Sequence, residues 1–250
     1  MNNEYTKRRF EDLYEQSYKN SHFTFTSFLN EAELSDFFEI QSKFASNSYT
    51  LYGGRENADR VMIRFGDPDD IGYEETFPVK CLKIEPLSKK FSEVLSHRDF
   101  LGAVLNLGIT RDAIGDIVVG EKEAYMFTTD KMADFISNEL TRVKHTTVYA
   151  KVTDDIPELL DGKMENGEVQ AASERADGVI SKIYHLSRSD CSELFKEKKV
   201  YINGRCTENS SYLLRENDKV SVRGFGKFIF NGISELTRKG NKIVSFIKYV

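Results

Sequence analysis

The chain contains no tryptophan, three cysteines, four histidines and four prolines in 250 residues. Cys81, Cys191 and Cys206 are an odd number at scattered spacing, which argues against a disulfide framework and fits a reducing cytoplasm. His22, His97, His145 and His185 are nowhere paired at metal-ligand spacing, so no zinc site is expected. No apolar run approaches the roughly 20 residues that a membrane helix needs. The charged start, MNNEYTKRRFEDLYEQ, lacks the apolar core of a secretory signal. No Gly-rich fingerprint for a dinucleotide or methyl donor follows a strand. Gly224-Phe225-Gly226-Lys227 is too short for a phosphate-binding loop. No cofactor is expected, and neither internal repeats nor low-complexity tracts occur.

What is present is enough to fold. Hydrophobic residues make up 40% of the chain and aromatics 12%, a composition that can bury a core. The net charge of −5 speaks on average against a polyanionic partner, but the average conceals a split. Residues 173–250 carry 15 Lys+Arg against 9 Asp+Glu, a net of +6, which leaves −11 on residues 1–172. Such asymmetry is what a chain with one nucleic-acid-facing part displays.

The expected fold class is α+β in three small domains. Residues 1–78 read as a helical-plus-strand unit. Phe10, Leu13, Tyr14 and Tyr18 share one face of a helix over 4–19, and Asn30 with Glu33 makes a capping box for a second helix. Val61, Ile63 and Phe65 alternate as a strand, and Asp67-Pro68-Asp69-Asp70 reads as a turn. Residues 79–172 read as β-α-β-β-α-β, the order of a ferredoxin-like domain shared by RNA-recognition (RRM-like) domains. There Tyr125 and Phe127 are either a base-stacking platform or plain core, and core is the stronger reading. GEVQAAS, residues 167–173, closes that domain as a strand.

Residues 173–250 read as two short helices followed by a small sheet. The first helix runs from about Glu174, with Ala176, Val179, Ile180 and Ile183 inward. Ser187 caps the second, Asn203-Gly204 is a hairpin turn, and Asn217-Asp218 is another turn. Arginines at helix starts offer a planar fork to phosphate, and helix N-termini add backbone N–H groups.

Taken together, Arg175-Ala176-Asp177, Ser187-Arg188-Ser189, Lys199 to Arg205 and Asn217-Asp218-Lys219-Val220 resemble the S4 RNA-binding domain. Ala176 stands where Leu is common, and Gly178 where a basic residue often follows the Asp. The likeness extends to Tyr52–Arg60, to Arg111-Asp112-Ala113-Ile114-Gly115-Asp116-Ile117 and to Arg223–Phe228, and over nearly the whole chain it resembles the YlmH family. That resemblance implies a non-catalytic, cytoplasmic, monomeric RNA-binding protein. Its partners would be ribosomal RNA of the large subunit and peptidyl-tRNA, in the handling of stalled nascent chains. On the S4 pattern the RNA-binding residues would be Arg175, Lys182, Ser187, Arg188, Ser189, Lys196, Lys199, Asn203, Arg205, Arg223 and Lys227. Two other readings stay open: an S4-guided RNA-modifying enzyme, related to pseudouridine synthases or methyltransferases, and a scaffold linked to cell division.

Overall fold

A computed structural model describes residues 3–88, 90, 92–157, 164–236 and 242–249. The chain divides into two compact units, residues 1–161 and 162–250. Among the described residues no helix is long and apolar enough to cross a membrane.

The first unit opens with α1 (Asn3–Asn20), β1 (Thr24–Phe25), α2 (Glu31–Ile40), β2 (Tyr49–Tyr52), β3 (Met62–Phe65) and α3 (Pro68–Ile71). The three strands form an antiparallel sheet in the order β1-β3-β2. Phe37, at the centre of α2, meets the rings of Phe10, Phe44, Tyr49 and Phe65 at centroid distances of 5.1–6.2 Å. The expected capping box is present. Asn30 Oδ1 accepts from the Ala32 and Glu33 amides, and the Glu33 carboxylate accepts from Asn30 N.

Two local expectations need correction. Tyr18 is 79% exposed, and Ser17 takes the inward position instead, its Oγ donating to Phe65 O at 3.1 Å. A helix face returns after seven residues, from Phe10 to Ser17, as readily as after eight. Asp67–Asp70 is not a simple turn. Asp67 caps the single helical turn of α3, with Pro68 at its first position, and Gly72 ends it in the left-handed conformation (φ +86°).

The same unit continues through β4 (Val79–Pro86), α4 (His97–Leu105), β5 (Ile114–Val119), β6 (Ala124–Thr129), α5 (Asp130–Glu139), β7 (Arg142–Val143) and β8 (Thr146–Thr153). Their antiparallel order is β5-β6-β4-β8-β7. Period-two alternation splits the sheet's side chains. Leu82, Ile84, Met126, Val148 and Ala150 pack with Phe100 and Val104 of α4 and Ile136 of α5. Cys81, Tyr125 and Phe127, on the other face, pack with Phe28 and Met62. The expected boundary at residue 78 therefore falls inside one compact body, because a shared core joins the two sheets.

The second unit contains β9 (Met164–Ala171), α6 (Ala176–Ile183), α7 (Arg188–Lys196), β10 (Val200–Ile202), β11 (Arg205–Cys206), β12 (Asp218–Val222), β13 (Gly226–Leu236) and β14 (Lys242–Tyr249). These form a six-stranded antiparallel sheet, β11-β10-β12-β13-β14-β9. Its core joins Val179, Ile180, Cys191 and Phe195 of the helices to Val220, Val222, Phe228, Phe230 and Val244. The strand expected to close the middle domain is β9. It runs beside β14 from Met164↔Tyr249 to Ala171↔Lys242, so it belongs to this unit. Gly167 of β9 sits under the Phe246 ring, where an added Cβ would lie only 2.4 Å away.

Candidate nucleic-acid interface

Arg175 occupies the N-cap position of α6 and Arg188 the first turn of α7, both exposed. The α6 start is held from the opposite side of the chain. Ala176 N donates to Tyr212 O, Asp177 N to Ser210 O, and Arg175 bridges to Leu213. The Arg175 guanidinium is already engaged, donating to both carboxylate oxygens of Asp177 at 2.6 and 3.1 Å. That pair holds the Asp177 carboxyl below its usual range, with the nearby Arg188 charge acting in the same direction. Beside them Gly178 faces open space, where a Cβ would touch nothing within 4 Å.

The other expected residues divide by what they touch. Ser187 caps α7, accepting from Asp190 N at 3.1 Å, and its hydroxyl meets that of Ser189 at 2.8 Å. Lys182, Lys196 and Arg205 are exposed. Lys199 pairs with Glu197 at 2.6 Å. Asn203 adopts the left-handed conformation of the β10–β11 turn (φ +51°). It donates to Asp218 Oδ1 and accepts from Lys219 N, which makes it a turn lock. The Arg223 guanidinium lies over the Tyr201 ring, 5.3 Å from its centroid. Lys227 stands opposite Ser221, the neighbour of Tyr201 across the sheet. A cation not anticipated from sequence, Lys248, sits 5.1 Å above the Tyr184 ring. Only the β13–β14 register, invisible in the sequence pattern, brings the two near each other.

In the first unit the possible stacking platform is closed. Tyr125 and Phe127 are 5% and 0% exposed beneath Phe28 and Met62. Gly54 approaches so closely that a Cβ would lie 2.2 Å from the Phe127 ring. What holds this cover is the meeting of two segments, Tyr52–Arg60 and Arg111–Ile117. The buried Asp116 carboxylate accepts from Arg55 Nη2 (2.8 Å) and Nε (3.2 Å), Asp59 N (2.9 Å) and Arg60 N (3.0 Å). Arg60 in turn donates to the carbonyls of Ile114, Phe28 and Arg111. Burial, followed by the neighbouring Arg60 charge, brings the Arg111 guanidinium down to about 10. With both carboxylate oxygens committed, Asp116 is placed to clasp two segments rather than to take a proton from a substrate. Basic side chains of this unit are found elsewhere. Arg98, Arg142 and Lys144 line an open cleft of about 540 Å³ beside α4, where Lys144 pairs with Asp99 at 3.0 Å.

Comparison with known proteins agrees with these motifs. The sequence model of a family described as "Putative RNA-binding domain in YlmH" matches residues 73–155. "Ribosome-associated protein quality control protein P2" of Bacillus subtilis (strain 168) is 30% identical over 200 residues, covering 78% of this chain and 75% of the relative. A solved structure, "Cell division protein ylmH from Streptococcus pneumoniae", aligns with a TM-score of 0.48 at 20% identity, over 61% of this chain and 92% of that one. On the family match and the extent of the Bacillus likeness, the chain belongs to the YlmH family.

Proposed function

We propose that this protein is a non-catalytic RNA-binding factor that docks on the large ribosomal subunit through residues 173–250, folded as an S4 domain. Residues 79–153 would be a ferredoxin-like domain whose sheet face serves as packing surface, with residues 1–78 as its N-terminal companion. The partners are ribosomal RNA and peptidyl-tRNA, the setting is rescue of stalled nascent chains in the cytoplasm, and the protein acts as a monomer. One observation carries the reading: Arg175 and Arg188 stand exposed at the starts of consecutive helices, in a segment of net charge +6. A relative named for ribosome-associated quality control supports the ribosomal setting.

Co-sedimentation with separated ribosomal subunits at two salt concentrations tests this. Wild type is expected to pellet with the large subunit, less so at high salt, because phosphate neutralisation releases counterions. Each charge-assisted contact is worth about 1.5–3 kcal/mol. The Arg175→Ala/Arg188→Ala variant is therefore expected to bind roughly two to four orders of magnitude more weakly if both arginines reach phosphate. Absence of wild-type pelleting with either subunit overturns the proposal and turns attention to RNA modification and to a division scaffold.

A further inference from the structure

Nine aromatic residues lie between positions 164 and 249, and eight of them are buried or half-buried. The exception is Phe225, 43% exposed in the turn that joins β12 to β13. Flanking glycines in left-handed conformations, Gly224 at φ +88° and Gly226 at φ +125°, shape this turn. Gly224 has open space around it, so the backbone angle rather than crowding calls for glycine there.

The ring is supported from one side only. Phe225 leans on Tyr184, with centroids 5.7 Å apart and planes at 54°. Tyr184 is fixed in turn by Phe228 and by the Lys248 ammonium over its ring. Its hydroxyl is buried without a hydrogen-bond partner, so Tyr184 serves here as a ring and not as a polar group. Arg223 and Lys227 stand two residues to either side of Phe225. A single exposed Phe needs no explanation on a protein surface. This one combines a rigid backing, a turn that holds it outward, a cation two residues to either side and a third, Lys248, over the ring that backs it. Positive charge beside an exposed ring complements an unpaired nucleotide, which offers a base face to the ring and phosphates to the charge, better than it complements an apolar partner.

We infer that Phe225 stacks an unpaired base of the bound RNA, while Arg223 and Lys227 meet the flanking phosphates. The inference rests on the RNA-binding reading above and adds to it the structural state of the RNA: single-stranded at this point, since a duplex hides its base faces.

The absence of tryptophan makes the test direct, because Phe225→Trp installs the sole indole of the protein. The probes are deproteinised large-subunit ribosomal RNA and a fully paired RNA duplex, with binding measured by filter retention and indole emission read in parallel. Phe225→Trp is expected to keep binding the ribosomal RNA, since an indole also stacks on a base, and to lose emission on binding, with little quenching by the duplex. Phe225→Ala and Phe225→Leu are expected to bind about tenfold more weakly, the worth of one stacked base. Unchanged emission from RNA-bound Phe225→Trp, equal quenching by the duplex, or wild-type affinity in Phe225→Ala overturns the stacking proposal while leaving RNA binding intact. Failure of the wild type to bind ribosomal RNA overturns both. Should Phe225→Ala prove unfolded by its melting curve, the emission readout of Phe225→Trp decides alone.

Discussion

Arg175 and Arg188 open consecutive helices with different neighbours, and the difference has a consequence for binding. Arg175 is held by Asp177, whose charge also stands against an incoming phosphate. Asp177→Asn removes that charge while preserving an acceptor for Arg175. One opposing charge at solvent-screened range is worth about 1 kcal/mol, so ribosomal RNA affinity should rise roughly fivefold at low salt. A filter-binding titration showing no gain would place the α6 start away from the RNA. The three thiols make a second residue-scale prediction. Burial pushes Cys81 up to about 12 and Cys191 up to about 11, whereas Cys206 is half-exposed on β11. A thiol reagent at pH 8 should therefore label one cysteine of the three in the folded protein and all three in denaturant. Asn203 shows how far residue type alone can be read. Its turn role is legible from Asn203-Gly204, whereas the hydrogen bonds to Asp218 and Lys219 that lock the turn come from residues 15 and 16 positions away.

At the scale of elements, helix starts were the most legible feature because a cap is written within four residues. Asn30 with Glu33 and Ser96 with Asp99 both form capping boxes. In the second, hydrogen bonds from the Ser96 side chain and backbone, reinforced by Lys144, hold the Asp99 carboxyl down at about 2. The sign follows from the depressed value. The Asp99 contribution is complete above the ordinary carboxylate range near 3.8, and is shed as pH falls toward about 2. A carboxyl-carbon NMR titration should show Asp99 protonating well below an unperturbed aspartate, and Ser96→Ala should move it upward. Removal of the other cap, Asn30→Ala, should cost about 1 kcal/mol in denaturant unfolding. Strand partners were less legible than caps. β9 reads as a strand in the sequence, but its partner lies beyond both helices of the unit, and no local signal names it.

Across the whole molecule, the missing information was long-range contact. Tyr125 and Phe127 are core, as their strand pattern implies, yet their cover, Phe28 and Met62, comes from a segment that local signals set apart as a domain of its own. The Asp116 clasp likewise joins motifs far apart in sequence. Asp116→Asn removes the charge that Arg55 meets while keeping the shape of the side chain. Breaking a buried, hydrogen-bonded pair from one side costs about 3–5 kcal/mol, so the first unit should melt markedly lower. Boundaries can be tested by fragments. Residues 162–250 should unfold cooperatively, whereas residues 173–250, stripped of β9, should melt lower or self-associate through the bared β14 edge. Equal melting curves for the two fragments would show that β9 contributes nothing to the unit.

The pairing of β9 with β14 also sets an order of events during synthesis. Translation delivers β9 first, then both helices and four further strands, and only then the partner that covers it. Until β14 emerges, the unit has its helices and early strands but lacks the neighbour that links β9 to the sheet. The nascent chain therefore carries an unpaired strand edge for longer than any other part of this unit, and that edge is where premature association would begin.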